Sequence, residues 1–239
     1  GLAELGARFF GSSKALRSGE VRRLLVDGLA VLADAEEDAA EPALLLRRFG
    51  VCDNPTALKV TLFGPFRLRK RGRWLDWVEQ LHALGESATL SLGNLDGVDR
   101  VELAGDGAIV HTSENETPFC RLVREQFPEP VIYTEGYPNA AVRRLLRLLP
   151  PATAVRHWGD SDLDGLRIAD ILAATRPLEL WRCGLAELQR QRPRLLPFSD
   201  AQSGRARRWL AAHPDFRFRA ELGFSLAHGW LEQESWQGV

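Results

Sequence analysis

The feature that most constrains this chain is a strand, loop and helix pattern at residues 153–171, TAVRHWGDSDLDGLRIADI. A short apolar strand at 154–158 runs into an acidic loop, and a helix pattern begins at Leu166. Asp160 and Asp162 thus follow the carboxyl end of a strand, where open α/β sheets place their ligands. Because neighbouring carboxylates repel each other and are costly to bury, the loop indicates half of a divalent-metal site.

Strand and helix patterns alternate from residue 108 onward. We predict strands at 108–112, 131–134, 154–158 and 178–183, and helices at 118–127, 140–149, 166–174 and from 185 onward. Such alternation is typical of a mainly parallel sheet covered by helices. Since the carboxyl ends of parallel strands share one edge, Glu114, after the first of these strands, is expected to face Asp160 and Asp162.

Three carboxylates without a histidine or cysteine partner favour Mg²⁺ or Mn²⁺ over zinc. Such an ion can polarise a phosphodiester and activate a water molecule. An EF-hand loop is excluded, because Ile171 stands where that loop requires glutamate and a strand precedes it. The remaining alternative is that these aspartates cap a helix without metal, a role that suits Asp164.

The composition is that of an ordinary soluble globular protein of 239 residues, 45% hydrophobic and 26% charged. The chain has no membrane-length apolar run, no opening secretory signal and no CxxC spacing among its three cysteines, so we expect a cytoplasmic protein without membrane contact. A net charge of −1 argues against a uniformly basic nucleic-acid binder but allows local patches. Because the chain starts at Gly1 and lacks methionine, we expect a piece of a longer protein.

The first half of the chain gives weaker patterns. We predict helices within 2–32 and at 74–84, an acidic helix end or linker at 34–41, a turn at 53–55, strands at 57–63, 88–92 and 98–103, and a hairpin turn at 105–107. A loose domain boundary is placed near residue 103.

Two groups of cations are candidate DNA contacts. Five cations lie within seven residues after Phe66, and three arginines share a face of the helix at 140–149. A solvated loop explains the first group equally well, and phosphate contact gains weight only beside a nuclease site. The DNA-contact candidates are Arg69, Lys70, Arg71, Arg143 and Arg144.

Three motifs together resemble a Toprim domain and, more closely, the JetD family of Wadjet nuclease subunits. They are ENETPF at 114–119, GYPNA at 136–140 and HWGDSDLDGLRI at 157–168. Toprim domains pair a glutamate after the first strand with a DxD motif after a later one, and Glu114, Asp160 and Asp162 match those positions. RFFGSSK at 8–14 and LEQE at 231–234 resemble further family segments, so the resemblance extends over most of the chain.

The resemblance implies a two-domain α/β protein. Residues 1–103 would form a winged-helix-like (CAP-like) DNA-binding domain. Residues 104–239 would form the Toprim catalytic domain, which is Rossmann-like with a mainly parallel four-stranded sheet and flanking helices. The amino-terminal arm of the relatives has no counterpart here, which agrees with a fragment.

The resemblance also implies an endonuclease subunit that cuts closed-circular, plasmid double-stranded DNA within a bacterial SMC defence complex. The ATPase, kleisin and kite subunits of that complex would be its partners. Glu114, Asp160 and Asp162 would be catalytic and would hold Mg²⁺ or Mn²⁺. Because one site cuts one strand, a double-strand break implies a homodimer.

One departure from the related topoisomerase VI A subunit concerns the nucleophile. Strand passage needs a tyrosine on the winged-helix domain to form a phosphotyrosyl link. Only Tyr133 and Tyr137 are present, both in the second half, so we predict hydrolysis by water. Two alternatives stay open: a topoisomerase VI A-like strand-breaking subunit, and a non-catalytic DNA-binding module whose acids only cap a helix.

Several further side chains are lesser candidates. His157 suits a proton shuttle or a phosphate contact, and packing explains it at least as well. Glu116 and Glu135 could hold a second ion, although surface placement is the simpler interpretation. Glu232 and Glu234 are expected on an exposed helix, with some added weight from the LEQE motif.

Overall fold

The computed structural model describes residues 1–17, 19–32, 45–46, 49, 51, 56–103 and 109–236. The predicted acidic stretch at 34–41 and the turns at 53–55 and 105–107 lie outside the described residues. The chain divides into two compact units, Gly1–Leu58 with Ser91–Gly93, and Lys59–Leu90 with Asn94–Val239.

The first unit contains α1 (Leu2–Phe10) and α2 (Glu20–Leu32). The helical pattern at 2–32 is therefore interrupted. Gly11 ends α1 with a φ of 69°, in the left-handed region that glycine adopts without strain. Leu2, Leu16 and Leu46 form the buried core of this unit.

A six-stranded sheet lies at the centre of the described part of the second unit. Its order is β4 (Ala88–Ser91), β1 (Lys59–Phe63), β7 (Val131–Tyr133), β6 (Ile109–Ser113), β8 (Ala154–Trp158) and β9 (Glu179–Leu180). The last four strands in that order run parallel, whereas β1 is antiparallel to β7. The predicted α/β class with a mainly parallel sheet is confirmed.

The basic stretch after Phe66 forms strands, contrary to the solvated-loop interpretation. A separate sheet has the order β3 (Arg73–Leu75), β2 (Phe66–Lys70) and β5 (Val98–Leu103), with antiparallel pairing throughout. Phe66 and Leu68 on β2 are buried, so burial of alternate residues overrides the charge of the residues between them.

The predicted boundary near residue 103 stays a prediction. Strands β1 and β4, which precede that position, belong to the same sheet as four strands that follow it. Val60 and Leu62 of β1 are buried, and the burial of these apolar side chains stabilises the position of β1 in this sheet. Sequence order alone does not reveal such long-range pairing.

Helices cover the sheet and follow it. They are α3 (Trp77–Ala83), α4 (Glu116–Arg124), α5 (Ala140–Leu148), α6 (Leu163–Thr175), α7 (Leu185–Arg190), α8 (Asp200–Ala212) and α9 (Arg219–His228). Leu166 and Ala169 of α6 pack with Ala206 of α8 and Leu222 of α9 in one buried cluster. Among the described residues, no helix has both the length and the apolar character to cross a bilayer.

Asn139 links the start of α5 to the sheet. Its Oδ1 accepts hydrogen bonds from the N–H groups of Ala141 and Val142, at 2.8 and 3.4 Å, and so caps the helix. Its Nδ2 donates to the carbonyl of Lys59 in β1 at 2.9 Å. One side chain therefore satisfies a helix end and a strand end together.

We expect Asn139→Ala to lower the free energy of unfolding by about 1–2 kcal/mol, because the α5 cap is lost. Urea denaturation measures this change. Asn139→Ser is the matched control, since serine keeps an oxygen that can cap the helix and loses the bond to Lys59. Equal destabilisation by both substitutions would contradict the capping role.

Candidate functional site

Glu114 directly follows β6 and lies at the carboxyl edge of the parallel strands. Its side chain is 7% exposed. Its N–H donates to the carbonyl of Trp158, the last residue of β8, at 3.0 Å, and its own carbonyl accepts from the N–H of Gly136 at 3.1 Å. These bonds extend the sheet pairing and fix Glu114 against the loop that follows β8.

The backbone of that loop approaches the Glu114 carboxylate closely. The N–H of Asp160 donates to Glu114 Oε2 at 3.2 Å. A Cβ on Gly159 would overlap the same oxygen and lie 2.8 Å from His157 Nε2. Glycine is therefore needed at position 159, because any side chain would displace Glu114.

Asp160 and Asp162 each accept a backbone hydrogen bond. Asp160 Oδ1 accepts from the N–H of Gln233 at 2.7 Å. Asp162 is the N-cap of α6, and its Oδ1 accepts from the N–H of Gly165 at 2.9 Å. The charges of both aspartates act on Glu114, which follows the parallel strand next to theirs. Their convergence on one metal ion stays a prediction.

Asp164 is not the helix cap that the sequence suggested. It lies in the first turn of α6 and pairs with Arg205 and Arg167. Its Oδ1 also accepts a hydrogen bond from Tyr137 Oη at 3.1 Å. The capping role belongs to Asp162, because that residue has the extended backbone of an N-cap and the bond to Gly165.

Burial and mutual repulsion set the charge of the acids. Burial, followed by the charge of Asp160, raises the pKa of Glu114 from its ordinary 4.5 to about 8. Burial raises the pKa of Asp160 to about 6, and the charges of Asp162 and Glu234 add to the increase. Burial also raises the pKa of Asp162. Each carboxylate therefore disfavours ionisation of its neighbours, and a proton or a cation relieves the repulsion.

Glu234 is a fourth carboxylate at this site, which residue patterns alone placed on an exposed helix. It is exposed, but it lies in a 3₁₀ turn, Gln233–Ser235, that follows the helices. Its Oε2 accepts a hydrogen bond from Asn115 Nδ2 at 3.2 Å, and its charge raises the pKa of Glu114. The LEQE motif was the one sequence signal for it.

The carboxylates are the ligand type that a hard divalent cation prefers, but their positions do not form a complete set of metal ligands. Within the described ranges, no three carboxylate, imidazole or thiolate groups converge as metal ligands. The carboxylates accept backbone N–H groups instead. All of the donors are oxygen atoms, the ligand type that Mg²⁺ and Mn²⁺ prefer, and their repulsion is what a cation neutralises. Because each carboxylate has two oxygens with several lone pairs, an N–H bond to one oxygen does not by itself prevent cation binding.

His157 has the environment of a core residue. It is buried, and its Nδ1 lies 2.8 Å from Thr112 Oγ1. Burial lowers the pKa of His157 to about 3, so the imidazole is neutral at physiological pH. These facts favour the packing interpretation over a proton shuttle. Glu116 and Glu135 are exposed, as the simpler interpretation predicted.

The first group of predicted DNA contacts lies on β2 and the turn after it. Arg69 Nε is 2.9 Å from Asp99 Oδ1, and Lys70 Nζ donates to the carbonyl of Asn94 at 2.8 Å. Arg71 is exposed in the turn, with a φ of 51°. Of these three cations, Arg69 and Lys70 are half-buried and paired within the protein, and Arg71 is exposed.

The second group of predicted DNA contacts is half-buried on α5. Arg143 Nε donates to the carbonyl of Pro138 at 3.1 Å, and Arg144 Nη2 donates to the carbonyl of Val98 at 2.8 Å. Both contacts hold guanidinium groups against the backbone of the protein. The DNA-binding role of these two arginines stays a prediction.

Comparison with protein families assigns the chain. The family described as "Protein of unknown function C-terminus (DUF2399)" matches residues 88–221, more than half of the chain. The chain belongs to this family. The DUF2399 match includes Glu114, Asp160 and Asp162, whereas Glu234 lies beyond it. No curated protein matches the chain.

In metal-free protein, Glu114→Gln is expected to increase the free energy of unfolding at pH 8. The folded state raises the pKa of Glu114 from 4.5 to about 8, so it retains a proton that the unfolded chain releases. Stability is therefore lost as pH rises between those values. Glu114→Gln avoids this loss, so its advantage should grow from pH 5 to pH 8, by at most about 1.4 kcal/mol per pH unit.

Urea denaturation in the presence of a chelator measures this difference. Asp170→Asn is the control, since Asp170 lies on α6 in an exposed pair with Arg217. It should leave the pH dependence of stability unchanged. Parallel pH profiles for the wild type and Glu114→Gln would contradict the assigned burial of Glu114.

Proposed function

We propose that this protein is a metal-dependent endonuclease that hydrolyses double-stranded DNA. One observation carries the proposal. Glu114, Asp160 and Asp162, from two separate chain segments, lie at the carboxyl edge of neighbouring parallel strands, where burial raises the pKa of all three carboxylates. Perturbed acids gathered at such an edge are typical of sites that do chemistry on a ligand.

The strand arrangement supports a Toprim assignment for residues 104–239. Four parallel strands in the order β7, β6, β8, β9 agree with the four-stranded sheet that the resemblance implies. The glutamate follows β6 and the DxD motif follows β8, which are neighbours. A winged-helix-like domain in residues 1–103 is the companion proposal.

The residues of this chain would hold and orient the ion. Glu114, Asp160 and Asp162 are the proposed ligands, with Glu234 beside them. Bound Mg²⁺ or Mn²⁺ supplies polarisation of the scissile phosphodiester and activation of a water molecule. The backbone N–H groups of Asp160 and Gly165 hold the carboxylates of Glu114 and Asp162 at the sheet edge.

The two tyrosines support water as the nucleophile. Burial, followed by the charge of Asp164, raises the pKa of Tyr137, and burial raises the pKa of Tyr133. Tyr133 also stacks on Phe119, with ring centroids 5.4 Å apart. Neither tyrosine lies in residues 1–103, where strand passage would need its nucleophile, and both have contacts within the second half of the chain. A phosphotyrosyl intermediate of the topoisomerase VI A type is therefore disfavoured.

The exposed hairpin of β2 and β3 supports contact with nucleic acid. Trp74 is 37% exposed, and the guanidinium groups of Arg67, Arg69 and Arg100 lie 5.4, 6.0 and 6.0 Å from its ring centroid. Cations around an aromatic ring suit a phosphate backbone. The hairpin belongs to the same compact unit as the acids.

The biological setting comes from the JetD resemblance. We propose that the protein acts as a homodimer, because each site would cut one strand. We further propose that it works with the ATPase, kleisin and kite subunits of an SMC complex, and that its substrate is closed-circular plasmid DNA.

Asp160→Asn is expected to reduce cleavage of supercoiled plasmid with Mn²⁺ at least about 100-fold, the scale on which a lost electrostatic contact to a transition state acts. Gel separation of supercoiled, nicked and linear forms measures it. Asp170→Asn, at a half-exposed aspartate on the helix that follows the Asp160 loop, should cut as the wild type does. Unchanged cutting by Asp160→Asn would reject the site, and a covalent protein–DNA adduct would favour the strand-passage alternative.

Arg71→Ala is expected to weaken binding to duplex DNA and to lower the slope of log affinity against log salt by about one, because one phosphate contact is lost. Fluorescence anisotropy in the Asp160→Asn background without metal measures both quantities. Arg217→Ala, on an exposed pair with Asp170, is the control. If both variants keep the wild-type slope, Arg71 does not contact DNA.

A further inference from the structure

The segment from Trp230 to Trp236 returns from α9 to the acidic site. Trp230 forms an isolated antiparallel bridge with Leu196. The N–H of Leu231 donates to Ser161 Oγ at 2.6 Å, and the carbonyl of Leu231 accepts from the N–H of Ser161 at 3.0 Å. Ser161 lies between the two aspartates of the site, so the returning segment is fixed to the acidic loop itself.

Gln233 occupies the centre of this segment and is 1% exposed. Its Nε2 donates to Ser113 Oγ at 2.8 Å and to the carbonyl of Trp158 at 3.0 Å. Its Oε1 accepts from the N–H of Asn115 at 2.9 Å. Both amide hydrogens and the amide oxygen therefore bind groups at the ends of β6 and β8.

The partners of Gln233 flank the acids on both strand ends. Ser113 and Asn115 are the two neighbours of Glu114 in the chain, and Trp158 ends the strand that leads to Asp160. The backbone N–H of Gln233 donates directly to Asp160 Oδ1 at 2.7 Å. Gln233 therefore contacts both the end of β6 and the end of β8, which carry the acids.

The position of Gln233 is set by anchors beyond it as well. The Trp236 ring packs edge-on against Trp158, with centroids 5.7 Å apart, and the Arg182 guanidinium lies 3.7 Å from the Trp236 centroid. Arg121 Nη1 donates to the carbonyl of Trp236 at 3.3 Å, and Trp236 Nε1 donates to Glu187 at 3.3 Å. Because contacts at Trp230, Leu231 and Trp236 fix both ends of the segment, the position of Gln233 between the two strand ends is also fixed.

We propose that Gln233 is a positioning residue that holds the strand ends carrying Glu114 and Asp160 together, so that their carboxylates stay adjacent. That the adjacent carboxylates bind a cation rests on the proposed function. The segment lies beyond residues 88–221, the region that the DUF2399 family matches. A buried amide with every polar atom paired has no apolar substitute that keeps these bonds.

Gln233→Leu tests the proposal against Ser235→Ala. Ser235 lies in the same 3₁₀ turn, and its Oγ donates only within the segment, to the carbonyl of Glu232 at 2.8 Å. NMR hydrogen exchange in metal-free protein reports the Asn115 and Asp160 amides. Electron paramagnetic resonance of free Mn²⁺ gives the dissociation constant of Mn²⁺ for the same samples.

Gln233→Leu should raise exchange of the Asn115 amide at least about tenfold, with unchanged protection at the centres of β6 and β8. Its dissociation constant for Mn²⁺ should rise about 10- to 100-fold, the range for lost outer-shell support. Ser235→Ala should change neither. If the leucine variant does not fold, Gln233→Asn serves, because an amide one methylene shorter cannot reach both strand ends.

The two readouts separate the possible failures. Wild-type exchange at Asn115 in the folded variants overturns the proposal. Where the wild type binds Mn²⁺, faster exchange in Gln233→Leu with unchanged Mn²⁺ affinity also overturns the proposal, because Gln233 would then join the strand ends without positioning the carboxylates. If the wild type itself binds no Mn²⁺, the proposed function fails, and faster exchange confined to Asn115 and Asp160 still supports the positioning role.

Discussion

Repulsion among carboxylates that share one buried sheet edge is the constraint on which the site depends. Burial alone disfavours the charge on Glu114, and the neighbouring aspartates increase that cost. The structure offsets part of it with backbone N–H donors, which come from Asp160 to Glu114 and from Gln233 to Asp160. The remainder is left to a proton or a cation. An arrangement that costs stability without a ligand is typical of function rather than of packing.

The fold around the acids serves to keep them adjacent. Parallel pairing of β6 and β8 brings the two acid-bearing segments side by side, and Gly159 lets the loop backbone reach the Glu114 carboxylate. The segment around Gln233 then joins both strand ends from the far end of the chain. The strand pairing, Gly159 and the Gln233 segment each help to keep Glu114 and Asp160 adjacent.

Local patterns predicted the parts of this structure that depend on neighbouring residues. Alternating strands and helices after residue 108 gave the parallel sheet, and their turns gave the places of Glu114, Asp160 and Asp162. Features that join distant segments were missed. The hydrogen bond from Gln233 to Ser113 joins residues 120 positions apart, and no periodic sequence pattern predicts such a contact. The basic run on β2 was ambiguous because its charged residues alternate with the buried ones.

The most direct test of the account is anomalous scattering from crystals soaked in Mn²⁺, which locates and counts bound ions without relying on activity. We expect a manganese peak within ligand distance of carboxylate oxygens from Glu114, Asp160 and Asp162. A saturating soak with no peak at that edge of the sheet, in crystals whose Glu114 side chain faces another surface, would contradict it.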